Sequence, residues 1–197
     1  SPSAIAALVA ERELAREPGS TVIHNLITSK AVPEIIRENG GEPVRTRVGH
    51  SFIKAKMAET NAVFGGEHSA HYYFRDFWRA DSGMLAAMHV LAALGQQDKP
   101  LSEMMAKYNR YAASGEINSR LDSAEAQADR TEAVVKAFAD RAENVDRLDG
   151  VTVELKDGNW FNVRASNTEP LLRLNVEADT QEAVDALVKE ILAIIRA

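Results

Sequence analysis

The sequence contains no cysteine. That excludes disulfides and thiolate-bound metals and fits a reducing compartment, so a cytoplasmic location is expected. Positive charge is also short. Twenty-three Lys and Arg against 29 Asp and Glu leave a formal net charge of −6, the wrong sign for a broad nucleic-acid surface. No apolar run approaches the roughly 20 residues needed to span a bilayer. The opening Ser1-Pro2-Ser3-Ala4-Ile5 lacks the basic start and apolar core of a signal peptide. It also lacks an initiator methionine, and it reads as the start of a processed piece. There is no Walker-type loop, no serine in a nucleophile elbow and no aspartate cluster suited to magnesium. No catalytic residue is therefore assigned to this chain, and no membrane or nucleic-acid partner.

What is present is an ordinary globular composition, 45% hydrophobic and 26% charged over 197 residues, enough for one large or two small domains. The first half alternates helical and β-prone segments. Residues 3–16 carry Ile5, Leu8, Val9 and Leu14 at helical spacing, and Pro18-Gly19 closes them. Strands are expected at 21–27, 44–48, 62–64 and 72–74. Helices are expected from Thr28 or Ser29 to Arg37, from Gly49-His50-Ser51 through Met57, and from Met84 to Leu94 behind Asp81 or Ser82. Such alternation predicts an α/β domain with a parallel or mixed sheet, whose ligands gather where strands end. On that rule His50 and Glu67 share one rim. The second half predicts an α+β domain. A strand at 116–121 and a helix at 124–141 precede β runs at 151–155, 160–164 and 171–176, and a helix capped by Thr180 closes it. The boundary is expected between residues 111 and 112, giving domains 1–111 and 112–197.

Two polar stretches carry the chemistry. Arg164-Ala165-Ser166-Asn167-Thr168-Glu169-Pro170-Leu171-Leu172-Arg173 sets two guanidinium groups, two hydroxyls and an amide between two β runs. Those are phosphate donors, and turn backbone N–H groups can add an anion-binding nest. The bland alternative is a polar hairpin that satisfies its own backbone. Gly65-Gly66-Glu67-His68-Ser69-Ala70-His71 offers groups better matched to hydroxyls, with glycines that let backbone approach a ligand. A phosphate grip together with a hydroxyl reader suggests a phosphorylated sugar. Glu67, His68 and His71 do not make a helical zinc motif, because Gly65-Gly66 precedes them and Tyr72-Tyr73-Phe74 follows; no metal is assigned. His24 and His89 read as packing histidines, whereas His50 opens a helix where an anion is welcome. The aromatics Tyr72, Tyr73, Phe74, Phe77 and Trp78 read as core or interface packing, and Arg75, Asp76, Arg79 and Asp81 as a salt-bridged rim.

These residues match a family pattern. Gly66-Glu67-His68-Ser69-Ala70-His71 resembles the G-E-x-S-G-H sugar-binding loop of the α-D-phosphohexomutases. Arg164-Ala165-Ser166-Asn167-Thr168-Glu169-Pro170 resembles their R-x-S-N-T-x-P phosphate loop, and Val48-Gly49-His50 their V/T-G-H turn. The resemblance covers the whole chain and is nearest to the bacterial phosphomannomutase branch. It implies a three-layer α/β third domain followed by a small TATA-binding-protein-like α+β fourth domain. It implies sugar contacts at Glu67, Ser69, His71, Gly49 and His50, and phosphate contacts at Arg164, Ser166, Asn167, Thr168 and Arg173. For the complete enzyme it implies interconversion of mannose 6-phosphate and mannose 1-phosphate through a hexose 1,6-bisphosphate. A phosphoserine and a Mg2+ loop would sit in N-terminal domains outside this chain, so this piece alone is expected to be inactive. Alternatives are a dual phosphoglucomutase/phosphomannomutase and a stand-alone sugar-phosphate-binding module. Two departures stand out: Ala70 replaces the commoner Gly, and Ile27 stands where many relatives have Lys.

Overall fold

A computed structural model describes residues 1–166 and 169–197. It divides into two compact units, Ser1–Arg110 and Tyr111–Ala197.

The first unit runs α1 (Pro2–Arg16), β1 (Thr21–Asn25), α2 (Ala31–Glu38), β2 (Glu42–Thr46), α3 (His50–Thr60), β3 (Phe64–Gly66), β4 (Tyr72–Phe74), a 3-10 turn (Arg75–Phe77), β5 (Ala80–Asp81), α4 (Gly83–Gly95) and α5 (Leu101–Ala106). Its sheet has the order β2-β1-β3-β4-β5. β1 is parallel to β2 and β3, while β4 and β5 return antiparallel. Neighbouring strand residues face opposite sides of a sheet, and Gly65 and Gly66 show what covers each side. A Cβ on Gly66 would lie 2.7 Å from the Ala6 Cβ of α1, and one on Gly65 would lie 3.0 Å from Ile53 Cγ2 of α3. The two glycines let helices press on both faces and so create the α/β/α layering. They lie within β3, not in a turn beyond a strand at 62–64. Their small size serves helix packing, where closeness to a ligand had been the expectation.

Other boundaries shift in the same way. β2 ends at Thr46, leaving Arg47-Val48-Gly49 as the turn into α3. The α2 cap position is Lys30 without a side-chain cap. Thr28 Oγ1 instead donates to the Asn25 carbonyl at 2.8 Å, and Ser29 Oγ accepts from Ala31 N at 3.2 Å. Ser1 and Ser82 do cap α1 and α4. Tyr72, Tyr73 and Phe74 are buried, whereas Phe77 is 37% and Trp78 82% exposed, so these two are not core residues of this unit. α4 is almost wholly apolar, yet Met84, Met88 and Leu91 are exposed.

The second unit runs β6 (Ala112–Ala113), β7 (Ile117–Arg120), α6 (Ala124–Phe138), β8 (Ala142–Asp146), β9 (Val151–Leu155), β10 (Trp160–Ala165), β11 (Leu171–Ala178) and α7 (Gln181–Ile195). The sheet is antiparallel in the order β6-β11-β10-β9-β8, with β7 also on β11. Val134 and Phe138 of α6 join Val184, Leu187, Ile191 and Ile195 of α7 in one core with Val153, Phe161, Val163 and Leu174. Burying each such side chain contributes about 1.5–3 kcal/mol. α6 stops at Phe138, and β8 follows where the helical pattern had been carried on to residue 141. Among the described residues, no helix is long and apolar enough to cross a membrane.

Candidate functional site

In the first unit the parallel strands all deliver polar groups at their carboxyl ends. Asn25 ends β1, Gly49 follows β2 and Glu67 follows β3. Glu67 joins the three. Its Oε2 accepts from Asn25 Nδ2 at 3.1 Å and from Gly49 N at 3.3 Å, and its Oε1 accepts from the Tyr73 hydroxyl at 2.6 Å. At 1% exposure this carboxylate is buried, and three donors offset the cost of keeping it there. Burial and the neighbouring Glu67 push the Tyr73 hydroxyl far above its ordinary pKa, so it stays a donor. Gly49 caps α3 at a φ of 129°, a backbone region left to glycine. Glu67 is thus the tie between the V-G-H turn and the sugar-loop motif.

The groups that face outward are its neighbours. Ser69 and His50 are exposed, and His71 is half-buried. The His50 and His71 rings lie 4.3 Å apart between centroids, and the His50 ring meets the Tyr73 ring edge at 5.4 Å. His71 Nδ1 is 2.7 Å from Asp81 Oδ2, while Asp81 Oδ1 accepts from Tyr72 N at 2.8 Å. His68 lies elsewhere, with Nδ1 3.1 Å from Ser3 Oγ. Ala70 adopts a φ of 66°, which explains why glycine suits this position. Ile27 is buried at 6% exposure and offers no donor.

The other two histidines pack. His24 Nδ1 sits 3.0 Å from Thr28 Oγ1, and burial lowers its pKa to about 4. His89 stacks on Phe74 at 5.6 Å, and burial lowers its pKa also. Arg75 ion-pairs with Glu17 at 2.6 Å and with Asp76 at 3.0 Å.

In the second unit Arg164 of β10 pairs directly with Arg173 of β11. Arg164 is buried at 6% exposure. The Nε atoms of both arginines are buried without a hydrogen-bond partner among the described residues. Arg173 is flanked by Glu116 at 3.5 Å and Glu169 at 3.6 Å, and it donates to Ser166 Oγ at 3.3 Å. Glu177 accepts from Trp160 Nε1 at 2.9 Å. Asn167 and Thr168 lie outside the described residues. The turn before β9 braces this site. Asn162 Nδ2 donates to Val151 O at 3.2 Å and Thr152 Oγ1 at 3.0 Å, and Gly150 rests against the Val163–Arg164 backbone.

Asn25, Tyr73, Asp81, Gly150 and Glu116 were not singled out as site residues in the sequence. The antiparallel β4–β5 pairing, with Tyr73 opposite Asp81, was the signal that would have linked Asp81 to His71.

An α/β/α unit with polar strand-end turns, joined in sequence to an antiparallel unit with a paired-arginine turn, defines the class. Residues 1–111 match the family model described as "Phosphoglucomutase/phosphomannomutase, alpha/beta/alpha domain III", and residues 116–194 match "Phosphoglucomutase/phosphomannomutase, C-terminal domain". The chain belongs to the phosphoglucomutase/phosphomannomutase family. It is 39% identical over 191 residues to a phosphomannomutase of Methanocaldococcus jannaschii, covering 97% of this chain and 41% of that protein. It is 42% identical over 176 residues to a phosphomannomutase of Escherichia coli K12, covering 88% and 38%. A solved phosphoglucomutase/phosphomannomutase family protein from Burkholderia thailandensis superimposes with a TM-score of 0.81 at 28% identity, over 99% of this chain and 42% of that one. The chain thus spans about 41% of the length of the Methanocaldococcus relative.

Proposed function

We propose that this chain supplies the hexose- and phosphate-holding part of a cytoplasmic phosphomannomutase, which interconverts mannose 6-phosphate and mannose 1-phosphate through a bisphosphorylated sugar. The observation that carries this reading is the Arg164–Arg173 pair. Two like charges stand opposite each other with buried Nε donors that have no partner among the described residues, an arrangement that favours a bridging anion. In this reading Arg164, Arg173, Ser166, Asn167 and Thr168 hold the phosphate that is not reacting. Glu67, Ser69, His71, Gly49 and His50 meet the sugar, and Glu67 also fixes the Gly49 turn. Binding energy from the remote phosphate then orients the end that reacts.

The bond-breaking groups belong, in the same reading, to segments outside this chain, which alone is inactive. Related enzymes hint at what those segments handle. Aspergillus fumigatus N-acetylphosphoglucosamine mutase has been solved with GlcNAc-6P and magnesium, and its S69A variant with glucose 1,6-bisphosphate. Among the described residues, the cluster able to hold a cation is His50, His71 and Asp81. Two nitrogens and one carboxylate do not suit magnesium, which demands oxygen ligands.

The test is to assay the intact reading frame on mannose 6-phosphate and glucose 6-phosphate, with a hexose 1,6-bisphosphate and magnesium supplied. Turnover of the mannose phosphate is expected. Equal turnover of both would indicate a dual mutase. Absence of turnover, with mannose 1-phosphate still bound, would indicate a binding module.

A further inference from the structure

We propose that His50, His71 and Asp81 form a binding site for a transition-metal dication such as Zn2+ at the strand-end rim of the first unit. The site goes beyond the mutase reading and does not rest on it. Each side chain offers one ligand atom, and these atoms all lie within 4.8 Å of one another. The three residues arrive from separate places: His50 is the first residue of α3, His71 immediately precedes β4, and Asp81 ends β5.

Part of the site is set in advance. Asp81 is fixed by the Tyr72 N–H on Oδ1, and this turns Oδ2 to within 2.7 Å of His71 Nδ1. The His50 and His71 rings are tilted against each other with centroids 4.3 Å apart, and His50 makes a T-shaped contact with Tyr73. Tetrahedral zinc wants donor atoms about 3.3 Å apart, at bonds of about 2.0–2.1 Å. At 2.7 Å the His71–Asp81 pair is a hydrogen bond closer than that spacing, so on binding the ion takes the place of the shared proton, which leaves to solvent, and the two groups part by about 0.6 Å. His50 is exposed, and its ligand atom lies within 4.8 Å of the other two. Two imidazoles and a carboxylate form the donor set that selects Zn2+, Ni2+ or Cu2+ over Mg2+ or Ca2+. Because the cluster is open to solvent, water completes the coordination. An ion held here occupies both outward imidazoles, so it competes with any other ligand that uses them.

The experiment is calorimetric titration of ZnCl2 into the chelator-stripped 197-residue chain, followed by Co2+ absorption. One equivalent is expected, with an affinity in the micromolar range and a visible Co2+ spectrum of nitrogen–oxygen ligation. His50→Ala and Asp81→Asn should each weaken binding by roughly tenfold or more. His68→Ala should leave it unchanged, since that imidazole faces Ser3. His50 is exposed, so its variant keeps the fold and decides the matter even if Asp81→Asn does not fold. Absence of binding below millimolar zinc, or binding that survives His50→Ala, overturns the proposal. Either result leaves the mutase assay untouched.

Discussion

Arg164 and Arg173 stand directly opposite each other on antiparallel β10 and β11, and each keeps a buried Nε without a hydrogen-bond partner among the described residues. Like charges placed opposite each other across a strand pair destabilise a sheet. Glu116 and Glu169 offset Arg173 from 3.5 and 3.6 Å, but a bridging anion would serve both arginines at once. Arg164→Ala should therefore weaken mannose 1-phosphate binding by about 1.5–3 kcal/mol, roughly ten- to hundredfold. Calorimetry on the intact protein measures this, and unchanged affinity would remove the residue from the phosphate site.

Tyr73→Phe tests the other unit. The hydroxyl it removes donates at 2.6 Å to a carboxylate with 1% exposure. Glu67 would stay buried with one donor fewer, at a cost of about 1–3 kcal/mol. The first unit should unfold at lower urea concentration by that margin. A midpoint that does not move would mean that the bond to Oε1 contributes nothing.

The features legible in the sequence were those with a local cause. Helical spacing, capping residues and runs of β-prone residues located most elements, and three motifs located the candidate loops. What depended on distant packing was hidden. Gly65 and Gly66 looked like a ligand turn because nothing local says that α1 and α3 press on them. The burial of Glu67 was not legible, since its three donors come from Asn25, Gly49 and Tyr73. β8 has one aliphatic residue, Val145, beyond its first alanine, so it carried no strand signal; edge pairing to β9 makes it one. The Arg164–Arg173 pairing needed the strand register.

Ala70 illustrates a local strain that sequence alone could only flag. Its φ of 66° costs a non-glycine residue about 1 kcal/mol or more. Ala70→Gly should stabilise the first unit by about 0.5–1 kcal/mol after the added unfolded-state entropy of glycine is counted. Thermal melting measures the change, and a destabilised variant would contradict the strain argument.

His24 gives the first unit a predictable response to acid. Burial lowers its folded pKa to about 4 from an ordinary value of 6.5. Above pH 6.5 both folded and unfolded forms are neutral, and the stability is intact. As pH falls from 6.5 towards 4 the unfolded chain takes up the proton first, so stability declines by about 1.4 kcal/mol per pH unit. Below 4 the folded form protonates too and the slope from this group vanishes. Urea unfolding across that window should show the slope in the parent and a flatter line in His24→Asn. Equal slopes would assign the acid sensitivity to other groups.

Gly150 links a turn that carries no chemistry to the arginine that does. Its φ is 65°, and a Cβ there would lie 2.3 Å from Val163 O and 2.8 Å from Arg164 Cα. Those are backbone atoms of a central strand, which cannot step aside as the tip of a side chain can. Gly115 supplies the control, with a φ of 66° and nothing within 4 Å of its added Cβ. Gly115→Ala should cost about 1 kcal/mol from backbone strain alone and leave phosphate affinity unchanged. Gly150→Ala should cost about 2–3 kcal/mol and also weaken phosphate binding, because relief of the clash displaces Arg164. Denaturation together with phosphate titration of the two variants separates the effects. If both glycines respond alike, the 149–150 turn has no part in placing the guanidinium.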